Sequence, residues 1–171
     1  MCEIFHKFWV GVAVWAAALA LTACGTAPAG SHRAGLVVVH GDGSVQTVCV
    51  DFSQAEISGL ELLDQSGLDY QLDASNPMGA LVCKVGPEGC DFPAQDCLCQ
   101  CSLGQTCRYW GFFNRQAGSG WVYAVSGPSS QKVRNGDVDA WVWLTGGEPS
   151  QSVPPELTNL GFDQICGPNS S

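Results

Sequence analysis

The sequence predicts an α+β fold: a mixed sheet crossed by one main helix and stapled by disulfides. Three observations carry this. Two β-branched runs flank Asp42-Gly43, a single helical period follows, and several short strand patterns with many cysteines come after it.

Leu36–Val39 and Val45–Val50 are β-branched runs on either side of the Asp-Gly turn and read as a β-hairpin. A helix is expected next. Ser53-Gln54-Ala55-Glu56 has the spacing of a capping box, Ile57, Leu60 and Leu63 set an apolar face, and Gly67 supplies the stop. Leu68–Asp73 and Ala80–Val85 read as strands, and Gly86–Gly104 as a Cys-, Pro- and Gly-rich loop. Arg108–Asn114 and Gly120–Ser126 read as a strand pair. Asp139–Leu144 is the final strand, with Trp141 and Trp143 on one face. The polar Thr145–Pro155 follows, then Leu157–Ile165, which is apolar enough to dock, with Cys166 available to staple it to the body.

The leading residues are expected to lie outside the fold. Phe8–Leu21 is an uncharged apolar run, shorter than the roughly 20 residues a membrane helix needs. It ends in Leu21-Thr22-Ala23-Cys24-Gly25, and this layout is that of a secretory signal. The five residues also resemble the bacterial lipobox, which implies a diacylglyceryl group on Cys24. An ordinary cleaved signal and an uncleaved anchor are the alternatives. The expected division is a signal peptide over 1–23, a lipidated Cys24 and tether over 24–34, and a domain over 35–144 with a Cys-rich insert at 83–107. A Pro- and Ser-containing tail over 145–171 completes it. The expected location is the extracytoplasmic face of the cell membrane, held by lipid.

Of ten cysteines, Cys2 leaves with the signal and Cys24 carries lipid. Cys49, Cys83, Cys90, Cys97, Cys99, Cys101, Cys107 and Cys166 remain, an even set that reads as a disulfide framework in an oxidising compartment. Zinc sites favour about two to four residues between paired thiolates, so the C-x-C-x-C run fits disulfides better than metal. Alternate residues of an extended chain point the same way, so Cys97, Cys99 and Cys101 are expected to find three different partners.

The formal net charge is -9 with seven Lys and Arg, so no basic stripe exists and nucleic-acid binding is not expected. Catalysis has little support: His32 lies in the tether, His40 lies beside a turn, and no nucleophile-elbow, zincin or P-loop motif occurs. Asp137 in Asn-Gly-Asp reads as a turn residue, and a calcium role for Asp137 and Asp139 lacks any loop spacing. No metal site and no catalytic residue is assigned. The rings of Tyr109, Trp110, Trp121, Tyr123, Trp141 and Trp143 gather in the last third of the domain. They read either as core or as an apolar platform for a planar ligand.

Three blocks carry a family resemblance: Ser58–Leu68 (SGLELLDQSGL), Gly120–Gly127 (GWVYAVSG) and Val133–Trp143 (VRNGDVDAWVW). Together they resemble the C-terminal domain of transcobalamin and intrinsic factor, also found in bacterial surface proteins. The resemblance implies a β-grasp-like fold and, as ligand, a corrinoid; a transporter complex that receives the ligand is a further expected partner. Ser126 stands where that family has Asn, and the 83–107 insert is richer in cysteine. The expected function is therefore small-ligand binding by a membrane-anchored lipoprotein without a resident cofactor. The rivals are a structural or adhesion module for protein or glycan, and a metal or redox protein using the Cys-rich loop.

Overall fold

The computed structural model describes residues 31–76, 79–104, 106–146 and 152–168. The expected signal peptide and Cys24 lie outside them. In chain order the elements begin with β1 (His32–Val39), β2 (Val45–Phe52), β3 (Ile57–Ser58) and α1 (Gly59–Gln65). Then come β4 (Tyr70–Asp73), β5 (Leu81–Val85), β6 (Glu88–Gly89), β7 (Arg108–Arg115) and β8 (Val122–Tyr123). Last are β9 (Lys132–Val133), β10 (Val138–Thr145), a 3-10 turn (Pro155–Leu157) and α2 (Phe162–Cys166).

The main sheet has the order β2-β1-β10-β7-β8. Its central pair, β1 with β10, is parallel, and its other pairings are antiparallel. The α+β expectation of a mixed sheet with one main helix holds. Both central strands are covered on both faces, which is why Leu36–Val39 reads as an unbroken apolar run. The hairpin joining β1 to β2 turns where expected, with Gly43 at φ 82°, a conformation that favours glycine. β1 starts earlier than the expected tether boundary. His32 pairs with Phe52, and the Arg33 amide donates to Asn135 Oδ1, so residues 32–34 belong to the sheet.

The helix differs from expectation at its start. Ser58, five residues after Ser53, is the N-cap: its hydroxyl accepts from the Glu61 amide, and Glu61 reaches back to the Ser58 amide. The Ser53–Glu56 box does not form. Ile57 and Ser58 are drawn into an antiparallel pair with β9, and Glu56 turns away to bind Lys132 and Arg134. Those two cations hold the Glu56 carboxyl below its ordinary range. Gly67, at φ 73°, follows the helix as the sequence suggests.

Strands β4, β5 and β6 form a separate three-stranded sheet, and β6 lies inside what reads as plain loop. Two apolar cores result. One, between the main sheet and α1, gathers Leu36, Val38, Leu62, Leu63, Trp110, Phe112, Trp141 and Trp143. The other, on the opposite face, gathers Val37, Val39, Phe113, Trp121, Val142, Leu157 and Ile165.

The chain after β10 builds the cover of that second face. Leu157 is fully buried, and the Leu160 carbonyl accepts from both Arg115 and the Trp121 indole. Cys166 is bonded to Cys49 on β2, so the staple suggested by sequence is present.

The other bridges join Cys83 to Cys97, Cys90 to Cys99, and Cys101 to Cys107. Cys97, Cys99 and Cys101 do take three different partners, although they sit in successive turns, not in an extended strand.

Candidate functional site

The hairpin turn between β1 and β2 lies against β6 and the Cys-rich segment, and the junction forms an open cleft. His40, Asp42, Ser44, Pro87, Glu88, Gly89 and Gln100 line a volume of about 540 Å³. The turn is rigid because its polar groups answer one another. The His40 amide donates to the Ser44 carbonyl at 2.9 Å, and the Ser44 amide donates to Asp42 Oδ1 at 2.8 Å. That carboxyl is held below its ordinary range, mainly by its bonds from Ser44.

Glu88 joins the two walls. Its Oε2 accepts from the Gly41 amide at 2.8 Å and sits 3.2 Å from His40 Nδ1, while its carbonyl accepts from the Trp110 indole at 3.3 Å. Gly41 is needed here for its lack of a side chain. A Cβ would lie 2.7 Å from both Glu88 Oε1 and Trp143 Cδ1. Behind the cleft, His40 meets Trp110 edge-on at 5.8 Å, and Trp110 meets Trp143 at 5.2 Å. Gln100 is held from both sides, since Cys99 and Cys101 are each bridged. The disulfides thus fix one wall of the cleft.

The aromatic residues do not form an open platform. Trp110, Trp121, Trp141 and Trp143 are exposed by 6%, 8%, 3% and 6%. Trp141 stacks on Phe112 at 4.7 Å under α1, while Trp121 lies on the other face of the sheet. Tyr123 is half-buried, edge-on to Phe113, and burial raises its phenol above the ordinary range. Tyr109 is half-buried opposite Leu144. The physical reason is that both faces of the sheet are covered, by α1 on one side and the C-terminal segment on the other. Period-2 spacing does place Trp110 with Phe112, and Trp141 with Trp143, on a shared face, but that face is the core.

Asp137 is a turn residue, as its Asn-Gly-Asp setting suggests. Its two carboxylate oxygens accept from the Ala117 and Arg134 amides. All eight cysteines of the domain are in disulfides, and among the described residues no three His, Cys, Asp or Glu side chains converge as metal ligands.

Sequence reasoning set His40 aside as a turn neighbour and did not single out Glu88 or Gln100. The one local signal was His40 beside an Asp-Gly hairpin turn. Nothing local shows that Glu88 lies across from it.

The SCO2322-like domain model matches residues 103–171, from just before β7 through α2 and less than half of the chain. This is a different family from the one the sequence blocks resemble. No curated protein matches. A solved structure of a Ruminococcus gnavus protein, described as a candidate metal binding protein, is similar over 68% of this chain and 99% of that one. Its identity is 18% and its TM-score 0.43.

Proposed function

We propose that this chain is an exported lipoprotein, anchored through Cys24, whose domain binds a small polar ligand in the His40–Glu88–Gln100 cleft. The cleft itself carries the reading. One of its walls is fixed by the bridges flanking Gln100, and small-molecule sites are concave, largely preformed and equipped with a few fixed polar groups. Asp42, Glu88 and Gln100 present hydrogen-bond acceptors to a ligand rich in N–H groups. The four bridges support an oxidising, extracytoplasmic location.

A corrinoid is the specific ligand proposed. The amide-fringed rim of a corrin matches an acceptor-rich cleft in chemistry. A β-grasp-like reading is supported by the hairpin, the helix across one face, and a last long strand parallel to β1. Transfer of the ligand to a membrane transporter is part of the same proposal.

Calorimetric titration of the oxidised domain with cobalamin and its precursors tests it. Saturable binding is expected, weakened about fivefold to tenfold by Gln100→Ala, as loss of one hydrogen bond worth about 1 kcal/mol implies. Gln100 is the informative position, because truncating buried Trp143 would report on packing instead. Absence of saturable binding by any corrinoid sinks the corrinoid assignment. Corrinoid binding that Gln100→Ala leaves unchanged sinks the cleft.

A further inference from the structure

Asp139 is the one charged residue of β10. It is 1% exposed, and its Oδ2 is buried with no hydrogen-bond partner. It faces the point where α1 begins. A Cβ on Gly59, the first residue of that helix, would lie 2.7 Å from Asp139 Oδ2, 2.8 Å from Phe112 Cζ and 3.3 Å from the Pro128 carbonyl oxygen.

The amides that could have solvated the carboxyl are committed elsewhere. Gly59 donates to the Gln131 carbonyl, Leu60 to the Pro128 carbonyl, and Glu61 to Ser58 Oγ. The helix start and the 127–131 turn are therefore tied to each other, and both sit over Asp139 Oδ2, which has no hydrogen-bond partner.

Burial first, and the negative Asp137 second, push this carboxyl well above the ordinary carboxylate range. The elements packed on it add no cation. α1 sets Gly59 against it, β7 sets Phe112, and the turn sets the Pro128 carbonyl. Asn114 and Leu36 are its uncharged register partners on β7 and β1. Glu61 on α1 and Lys132 on β9 are exposed and held by Ser58 and Glu56.

We propose that Asp139 is a proton-operated latch. Protonated, it lets Gly59 and the 127–131 turn seat on the sheet; on releasing its proton to solvent, it loosens the two together. In the open state the carboxyl meets water and returns to a pKa of about 3.9. Between that value and its raised closed value, opening releases one proton, so the opening constant rises about tenfold per pH unit. The seating is strongest below the open-state pKa, weakens as pH rises, and levels off above the closed-state pKa.

Amide hydrogen exchange, corrected for intrinsic rates and followed from about pH 5 to about pH 8, tests the latch. Protection of Leu60, Leu62, Ser130 and Gln131 is expected to fall with pH by up to about tenfold per unit, while Val37 and Val142 in the central strands stay flat. Asp139→Asn is expected to abolish that slope. A flat wild-type profile, or a slope that survives in Asp139→Asn, overturns the proposal. Carbon-13 titration of the Asp139 carboxyl in the unaltered protein is a second reading that needs no variant. The latch expects a midpoint raised to where the protection curve levels off, and a midpoint near about 3.9 overturns it.

Discussion

Removing the Cys49–Cys166 bridge is expected to destabilise this domain more than removing any other. The chain-entropy relation makes the effect grow with the loop closed. The 117-residue separation of Cys49 and Cys166 corresponds to about 5 kcal/mol, against about 2–3 kcal/mol for separations of 14, 9 and 6. Total domain stabilities run to about 5–15 kcal/mol, so the loss in Cys49→Ser/Cys166→Ser is a large share of the whole. The structure adds a local consequence. Without the bridge, the segment bearing Leu157 and Ile165 is held to the sheet by side-chain burial and a few hydrogen bonds, including the one from the Trp121 indole to the Leu160 carbonyl. The assay is guanidinium unfolding without reductant, followed by tryptophan emission. The expected result is a midpoint shift equivalent to about 3–5 kcal/mol, with emission moving red as the Trp121 indole becomes wet. A loss below about 1 kcal/mol, or a larger loss on removing Cys101–Cys107, refutes the loop-length reasoning.

Ser58→Ala is expected to cost about 1 kcal/mol in urea unfolding, while Ser53→Ala changes nothing measurable, because only Ser58 caps α1. Asp137→Ala leaves the Ala117 and Arg134 amides without their acceptor and is expected to cost about 1–3 kcal/mol per amide left buried; thermal unfolding against Asp137→Asn measures it.

What the sequence made legible was local. The β1–β2 hairpin follows from two apolar runs and an Asp-Gly turn, and the helix end follows from Gly67. The helix start did not, because Ser53–Glu56 and Ser58–Glu61 share one spacing. The choice between them is made by Lys132, Val133 and Arg134, far along the chain. The paired rings were legible as sharing a face, yet spacing alone does not say whether that face meets water or a helix. The cleft was least legible. His40 and Glu88 are 48 residues apart, and they meet only after β1, β6 and β7 have taken their places. Cysteine partners belong to the same class, since their number indicates bridges but not pairings.

The parallel pairing of β1 with β10 has a mechanical consequence. The chain enters the domain through the leading end of β1 and leaves the sheet at the trailing end of β10, so tension between those ends pulls the two strands past each other lengthwise. Five register pairs, from Gly35 with Val138 to Val39 with Val142, are then loaded in shear and have to fail together instead of opening one rung at a time. Force applied between those two ends is therefore met along the strands, where the whole β1–β10 ladder shares it.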